Sequence, residues 1–289
     1  MLFIVRYGQL GNQLIQYAAL KKLFPEQKLV LIGFDELGTF LCGVDATVVK
    51  QSRLPLVFRF KYANGIIRRL AAVLSMLRVF SSIQESRRGG CYEISTQRGL
   101  LSRAICVCNS FFQNSEILTN LPVRLEIQED LVNSAREWLI SKGATLERQK
   151  LVFVHIRRGD YCSWPDPEFP AVLEPQWYLA AMNRLRTLID SPLFVLISDD
   201  FAYARTQFGR LPDVLVSDND QFIDLALMSL CSHGILSASS FAWWGAWFSR
   251  VSGDTESDGV YIAPKYWAGH RKKEWYPAGF QFDWITYWE

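Results

Sequence analysis

LVFVHIRRGDY, residues 151–161, is the stretch whose reading decides the fold. Leu151 to Ile156 is a nearly continuous apolar run, interrupted only by His155. A strand that does not alternate apolar with polar residues is covered on both faces, which is the signature of a parallel sheet. The run stops abruptly at Arg157-Arg158-Gly159-Asp160. Open α/β sheets bind their ligands at the carboxyl ends of parallel strands. The stretch therefore reads as a central strand delivering a polar cluster to a binding crevice.

Outward from this strand, helices and strands alternate. Toward the C-terminus the pattern predicts a helix over Trp177–Ile189, a strand over Leu193–Ile197, a short strand at Val214–Val216 and a helix over Gln221–Leu230. A strand at Gly234–Ser237, a helix over Phe241–Phe248 and a strand at Val260–Ala263 follow. Toward the N-terminus, LFIVR (2–6), the turn YGQLGNQ, a helix from Asn12 to Phe24 and a strand over Lys28–Ile32 make a βαβ unit. Residues 50–103 read as a basic, mostly helical insertion, followed by a strand at Ile105–Val107 and a helix over Gln128–Ser141. The polar segment SKGATLERQK reads as a linker. The fold class is α/β, with two parallel-sheet domains at residues 1–145 and 146–289. A chain of 289 residues suits two domains of about 100–200 residues each.

Three polar clusters follow strands in the second half. In the first, the paired guanidinium groups of Arg157 and Arg158 suit a phosphate, which they can grip by forked, charge-assisted hydrogen bonds. His155 is placed to reach a base or a ribose, and Asp160 is placed to act as a general base. The Arg-Gly-Asp tripeptide belongs to this strand end rather than to an adhesion motif. The second cluster, Ser198-Asp199-Asp200, offers ligand contacts or a helix N-cap, the cap being favoured. In the third, Ser239 and Ser240 open a helix, where hydroxyls and backbone N–H groups suit a phosphate or simply cap the helix. Asp218-Asn219-Asp220 has the form of a divalent-cation site on a diphosphate, but Asp220 equally caps the next helix. The turn from Gly8 to Gln13 only loosely resembles a dinucleotide fingerprint, and the chain has no phosphate-binding loop of the nucleoside-triphosphatase type.

Charge is uneven. The net charge is +2, yet Lys50 to Arg103 holds eleven basic and two acidic residues and carries +9. Such a block fits contact with an anionic surface or substrate, or a solvated insertion without a partner. Within it, Ile66, Ile67, Leu70, Val73, Leu74 and Leu77 follow helical spacing, predicting an amphipathic helix over Ile66–Phe80 that lies on a core or on a membrane surface. No apolar run reaches the roughly 18–20 residues of a membrane span. The six cysteines show no zinc-ligand spacing, and the N-terminus has no leader pattern, so the expectation is a cytoplasmic chain with reduced thiols. Of the ten tryptophans, seven lie between Trp243 and Trp288. Core packing is their first reading and sugar stacking the second.

GNQLIQYA (11–18), FFQNSEIL (111–118), HIRRGDY (155–161), Ser198-Asp199-Asp200, DLALMSLCSHGILSASSFAWWGAW (224–247) and IAPKYW (262–267) occur in this order. Together they resemble the bacterial α-1,2-fucosyltransferases of glycosyltransferase family 11. The resemblance covers most of the chain and least of residues 50–103. It implies a GT-B architecture of two Rossmann-like domains facing across a cleft. It also implies GDP-β-L-fucose as donor, a glycan acceptor hydroxyl such as the 2-OH of a galactoside, inversion at the anomeric carbon, and no metal or other cofactor. By the same resemblance Arg157 binds the β-phosphate with Arg158 beside it, and His155 contacts the guanosine. Asp224 reads guanine, Ser239 and Ser240 touch the diphosphate, and Gly8, Gly11 and Asn12 form the turn that closes over it. Asp160 is then the first candidate for the base and Glu168 the second. The family usually has Gly-Gly-Leu-Gly-Asn-Gln where this chain has Gly8-Gln9-Leu10-Gly11-Asn12-Gln13, and Ala-Asn-Ser where it has Ser237-Ala238-Ser239. These departures bear on linkage and sugar more than on reaction class. Transfer from another nucleotide sugar, or sugar or nucleotide binding without catalysis, are the rival functions. A lipid-linked acceptor at the cytoplasmic face of the inner membrane is the partner that the basic segment suggests.

Overall fold

The computed structural model describes residues 1–50, 63–88, 91–108, 110–121, 125–145, 149–251 and 259–289. The chain forms two compact units, Met1–Glu126 and Ile127–Glu289. In the first, β1 (Leu2–Val5), α1 (Leu10–Leu23), β2 (Leu29–Ile32), α2 (Asp35–Phe40), β3 (Leu41–Cys42) and β4 (Thr47–Val49) lead to α3 (Ala63–Met76). Then come β5 (Phe80–Arg88), β6 (Cys91–Gln97), β7 (Leu101–Cys108) and α4 (Ser115–Leu118). The sheet order is β4-β2-β1-β7-β5-β6. All neighbours run parallel except β5 and β6, which form an antiparallel hairpin at the edge.

The βαβ reading of the N-terminus holds, with α1 beginning at Leu10 instead of Asn12. The mostly helical reading of residues 50–103 does not. Only Ala63–Met76 is helical there among the described residues, and residues 80–108 are largely strand. The reason is sheet pairing: β5 adds to β7, and β6 then closes the edge, so polar residues such as Ser95 and Gln97 stay exposed on an outer strand. Arg53, Arg59 and Lys61 lie outside the described residues.

After β8 (Glu126–Ile127), the second unit runs α5 (Glu129–Ser141), β9 (Lys150–Ile156), α6 (Pro175–Leu188), β10 (Pro192–Ser198), α7 (Phe201–Phe208) and β11 (Val214–Val216). It ends with α8 (Gln221–Ser229), β12 (His233–Ile235), α9 (Ser240–Val251), β13 (Tyr261–Pro264) and β14 (Thr286–Trp288). The break between units precedes α5, whereas the sequence placed it after residue 145. α5 packs on α8, and Trp138 Nε1 donates to Asp218 Oδ1 at 2.9 Å, which ties the helix to the second unit. The polar residues that follow, described at 141–145 and 149–150, therefore fall within that unit.

The second sheet is wholly parallel, in the order β11-β10-β9-β12-β13-β14. Counting β9 as the first strand, this is the doubly wound 3-2-1-4-5-6 order. Chain direction across the sheet reverses between β9 and β12, and ligands of such sheets bind at that switch point. β9 is buried from Leu151 to Ile156, as its apolar run predicts. In the first sheet the corresponding switch lies between β1 and β7. The C-terminal aromatics are mostly core: Trp243 and Trp244 are fully buried, and Trp243 packs against Phe280, Phe282 and Trp284.

Candidate active site

The HIRRGDY segment leaves β9 at the switch point of the second sheet. His155 is buried, and its Nδ1 lies 2.8 Å from Oγ of Ser237, just past β12. Burial, with the Arg157 charge nearby, pushes its imidazole down to about 3, so the ring is neutral at physiological pH. In that state the ring offers one donor and one acceptor nitrogen, one of them engaged with Ser237. Tyr161 donates to the carbonyl of Ala238 at 2.9 Å, so the end of β9 and the turn after it are fastened to the turn after β12 by two bonds.

The two arginines have separate fates. All three guanidinium nitrogens of Arg157 are engaged: Nε and Nη2 reach Asp160 Oδ1 at 3.2 and 2.7 Å, and Nη1 reaches Asp199 Oδ2 at 3.2 Å. Arg158 turns aside. Its Nε donates to Asp200 at 3.1 Å, and its guanidinium stacks 3.7 Å from the centre of the Tyr203 ring, anchoring the start of α7. The side chain of Asp160 is 62% exposed and that of Asp199 26%. Asp199 is therefore the more enclosed partner of Arg157 and Asp160 the more exposed one.

The sequence offers the Asp199-Asp200 pair as ligand contacts or as a cap, and the structure divides it. Asp200 caps α7, accepting from Tyr203 N at 3.0 Å. Asp199 accepts from the backbone N–H of Arg158 at 2.8 Å. Gly159 allows this approach, since a Cβ there would meet Asp199 Oδ2 at 2.6 Å.

Ser239 caps α9, its Oγ accepting from Phe241 N at 3.2 Å, and Ser240 opens that helix. Both therefore stand at a positive helix end beside the His155–Ser237 pair. Asp224 lies in the first turn of α8, buried, with Ser217 donating to its Oδ1 at 2.5 Å. Burial outweighs that bond and pushes its carboxyl up to about 7. Ser217 was not singled out in the sequence. Glu168, the weaker candidate base, is exposed on the loop after β9, where its N–H donates to Asp166.

The Asp218-Asn219-Asp220 segment has structural occupations. Asp218 accepts from Trp138, which holds its carboxyl below the usual range, and Asp220 caps α8 through Phe222 N and Ile223 N. No group of three or more potential ligating side chains occurs among the described residues.

In the first unit, Gly8 occupies the turn after β1 with φ +93°. Gly11 lies inside α1 and is buried. Asn12 accepts from Gln113 at 3.1 Å, and Gln16 Nε2 donates to the carbonyls of Tyr7 and Ser110 at 3.3 and 3.1 Å. Glu85 Oε2 accepts from Phe111 N and Phe112 N at 2.8 and 2.7 Å. The GNQLIQYA and FFQNSEIL blocks thus converge at the switch point of the first sheet. Gln16 and Glu85, which hold that turn, were not among the sequence candidates.

A family model of glycosyl transferase family 11 matches residues 96–287. The chain belongs to glycosyl transferase family 11. It is 28% identical over 295 residues to the O-antigen biosynthesis glycosyltransferase WbnK of Escherichia coli, covering 92% of this chain and 95% of that protein. It is also similar to an alpha-1,2-colitosyltransferase of Escherichia coli, 33% identical over 122 residues, 40% of each chain. A galactoside 2-alpha-L-fucosyltransferase, Sec1 of Mus musculus, is 34% identical over 118 residues, 39% of this chain and 30% of that one. Among solved structures, POFUT1 in complex with GDP-fucose superposes with a TM-score of 0.55 at 12% identity, covering 90% of this chain and 97% of that one. The fold is that of GT-B glycosyltransferases.

Proposed function

We propose that this family 11 glycosyltransferase moves L-fucose from GDP-β-L-fucose to a glycan hydroxyl, the 2-OH of a galactoside, with inversion and without a metal or other cofactor. The observation that carries the proposal is Arg157, paired with the more enclosed Asp199 and the more exposed Asp160, at the switch point beside His155 and the α9 N-terminus. In this scheme the donor diphosphate displaces Asp160 from the Nε–Nη2 edge of Arg157. The acceptor oxygen attacks the anomeric carbon, the bond to the β-phosphate oxygen breaks, and the charge developing on that oxygen meets Arg157 and the helix end. Asp160, released, takes the acceptor proton. The names of the mouse and Escherichia coli relatives support the α-1,2 linkage and a surface-glycan acceptor.

The colitosyltransferase relative favours one second reading, transfer of another nucleotide-linked deoxysugar on the same scaffold. Thermal shift against GDP, UDP and TDP tests the nucleotide. GDP at a hundredfold excess over its Kd should add about 2.7 kcal/mol of stability. Turnover of GDP-fucose in competition with nucleotide-linked colitose then separates the two sugars. Stabilisation by UDP or TDP alone, or activity abolished by EDTA and restored by Mn²⁺, would overturn the scheme. GDP binding without turnover of either sugar would leave a binding protein.

A further inference from the structure

α3 leaves much of its apolar surface uncovered. Its buried positions are small or polar, Ala71 and Ser75, and they face Cys106 and Cys108 of β7. Most of its large apolar side chains face outward: Ile66 is 44% exposed, Leu70 and Val73 51% and Met76 80%, with Leu77 just past the helix at 63%, while Ile67 and Leu74 are half-buried. Positions 66, 70, 73 and 77 fall at spacings of four, three and four, so they form one stripe along the helix.

The stripe continues onto a second segment. Leu100 N and Leu101 N donate to the carbonyls of Arg78 and Val79 at 2.8 Å each, which holds the turn before β7 against the end of α3. Leu100 is 86% exposed and Leu101 53%. Large apolar side chains exposed on neighbouring segments in this way are the mark of a candidate interaction surface. Arg69, Arg78, Arg98 and Arg103 are exposed around it. Arg68, by contrast, turns inward over the Tyr7 ring at 4.0 Å.

We propose that this face docks on an anionic phospholipid surface, with α3 lying in the interface plane. An apolar stripe rimmed by arginine matches a bilayer bearing negative headgroups, where the apolar side chains enter the acyl boundary and the guanidinium groups meet phosphate. The surrounding segment carries eleven basic and two acidic residues, so pairing this face with a second copy would bring like charges together. The helix has 14 residues, about 21 Å at the usual rise, too short to cross a hydrocarbon core of about 30 Å. No helix among the described residues is long and apolar enough to span a membrane. The inference stands apart from the donor and acceptor assigned above.

Co-sedimentation of the full chain with vesicles tests it. The protein should pellet with phosphatidylglycerol-containing vesicles at low salt and not with pure phosphatidylcholine. Binding should fall in 1 M salt, where the Debye length is about 3 Å. Each arginine removed should weaken binding roughly fivefold, so Arg69→Gln/Arg78→Gln/Arg98→Gln should lose on the order of 100-fold. Leu70→Ser/Val73→Ser/Leu77→Ser should abolish pelleting with its arginines intact. An unchanged melting temperature shows that either variant is folded. No pelleting with anionic vesicles at low salt overturns the proposal, as does equal pelleting with both vesicle types. So does a dimer in light scattering that the serine variant dissolves, since that makes the face a self-association surface. Failure of GDP to stabilise the protein would count against the donor and leave this surface unaffected.

Discussion

Nη1 of Arg157 lies 3.2 Å from Oδ2 of Asp199, and the other oxygen of that carboxylate holds the backbone N–H of Arg158 at 2.8 Å. The relationship is written in sheet register: Ser198 of β10 pairs with Ile156 of β9, so the next residue on each strand meets the other. Asp199 thus acts through Arg157. Asp199→Ala should lower kcat/KM by on the order of 100-fold, the usual effect of misplacing a positioned group by about 1 Å. In an Arg157→Ala background the same change should cost almost nothing more. Steady-state kinetics on the double-mutant cycle measures this, and additive losses would show that Asp199 acts independently of Arg157.

Arg157 and Arg158 are adjacent in sequence and should separate completely in assay. Arg157→Ala should lose about 2.7–4 kcal/mol of transition-state stabilisation, the range seen when an oxyanion donor is removed. Arg157→Lys should fail as well, because an ammonium cannot supply the fork. Arg158→Ala should keep most activity and lower the melting temperature, since it loses the Tyr203 stack and the Asp200 pair. Comparable losses of activity at both positions would contradict the division of roles.

The second sheet was legible because its central strands are buried on both faces. β9 and β10 read as apolar runs, and their ends as polar clusters, so the position of His155, Arg157 and Asp160 followed from the sequence. The edge hairpin was not legible. SSIQES and YEISTQ carry too little apolar character to read as strands, and the density of basic residues suggested a solvated helix. What makes them strands is the pairing of β5 with β7 and of β6 with β5, contacts no local pattern records. The roles of Asp199, Ser217, Gln16 and Glu85 were hidden for the same reason. Each depends on a partner brought close by packing, whereas the caps at Asp200, Asp220 and Ser239 depend only on local order and were readable.

The turn after β1 tolerates little at Gly8. Its φ of +93° is one that L side chains rarely adopt, and a Cβ would meet Asn12 Nδ2 at 2.3 Å. Gly8→Ala should destabilise the protein by about 1–2 kcal/mol from the left-handed backbone alone. It should also dislodge Asn12 from Gln113. A denaturant midpoint indistinguishable from that of the parent would show that the turn relaxes freely. Gly143, also at positive φ but with open space around it, supplies the control: Gly143→Ala should cost the backbone strain without the clash.

With Asp224 assigned to guanine, as the family resemblance implies, its protonation should tie stability and ligand binding to pH in opposite directions. Its folded-state carboxyl is raised to about 7 by burial, against about 3.9 in the unfolded chain. The folded state therefore binds the extra proton, and its stabilising contribution is complete below about pH 4. That contribution declines by about 1.4 kcal/mol per pH unit up to pH 7. His155, pushed down to about 3, has the reverse slope below its unfolded value, so the informative quantity is the difference between parent and Asp224→Asn. Asp224→Asn should become increasingly more stable than the parent as pH rises toward neutrality. Guanine recognition needs the opposite protonation state. A carboxylate that accepts from the base must be ionised, so GDP affinity should weaken about tenfold per pH unit below 7. Calorimetric titrations between about pH 5.5 and 8 should show this slope in the parent and a weak, pH-independent affinity in Asp224→Asn. A parent affinity that stays flat across the range would remove Asp224 from the guanine site and leave it as a buried, protonated partner of Ser217.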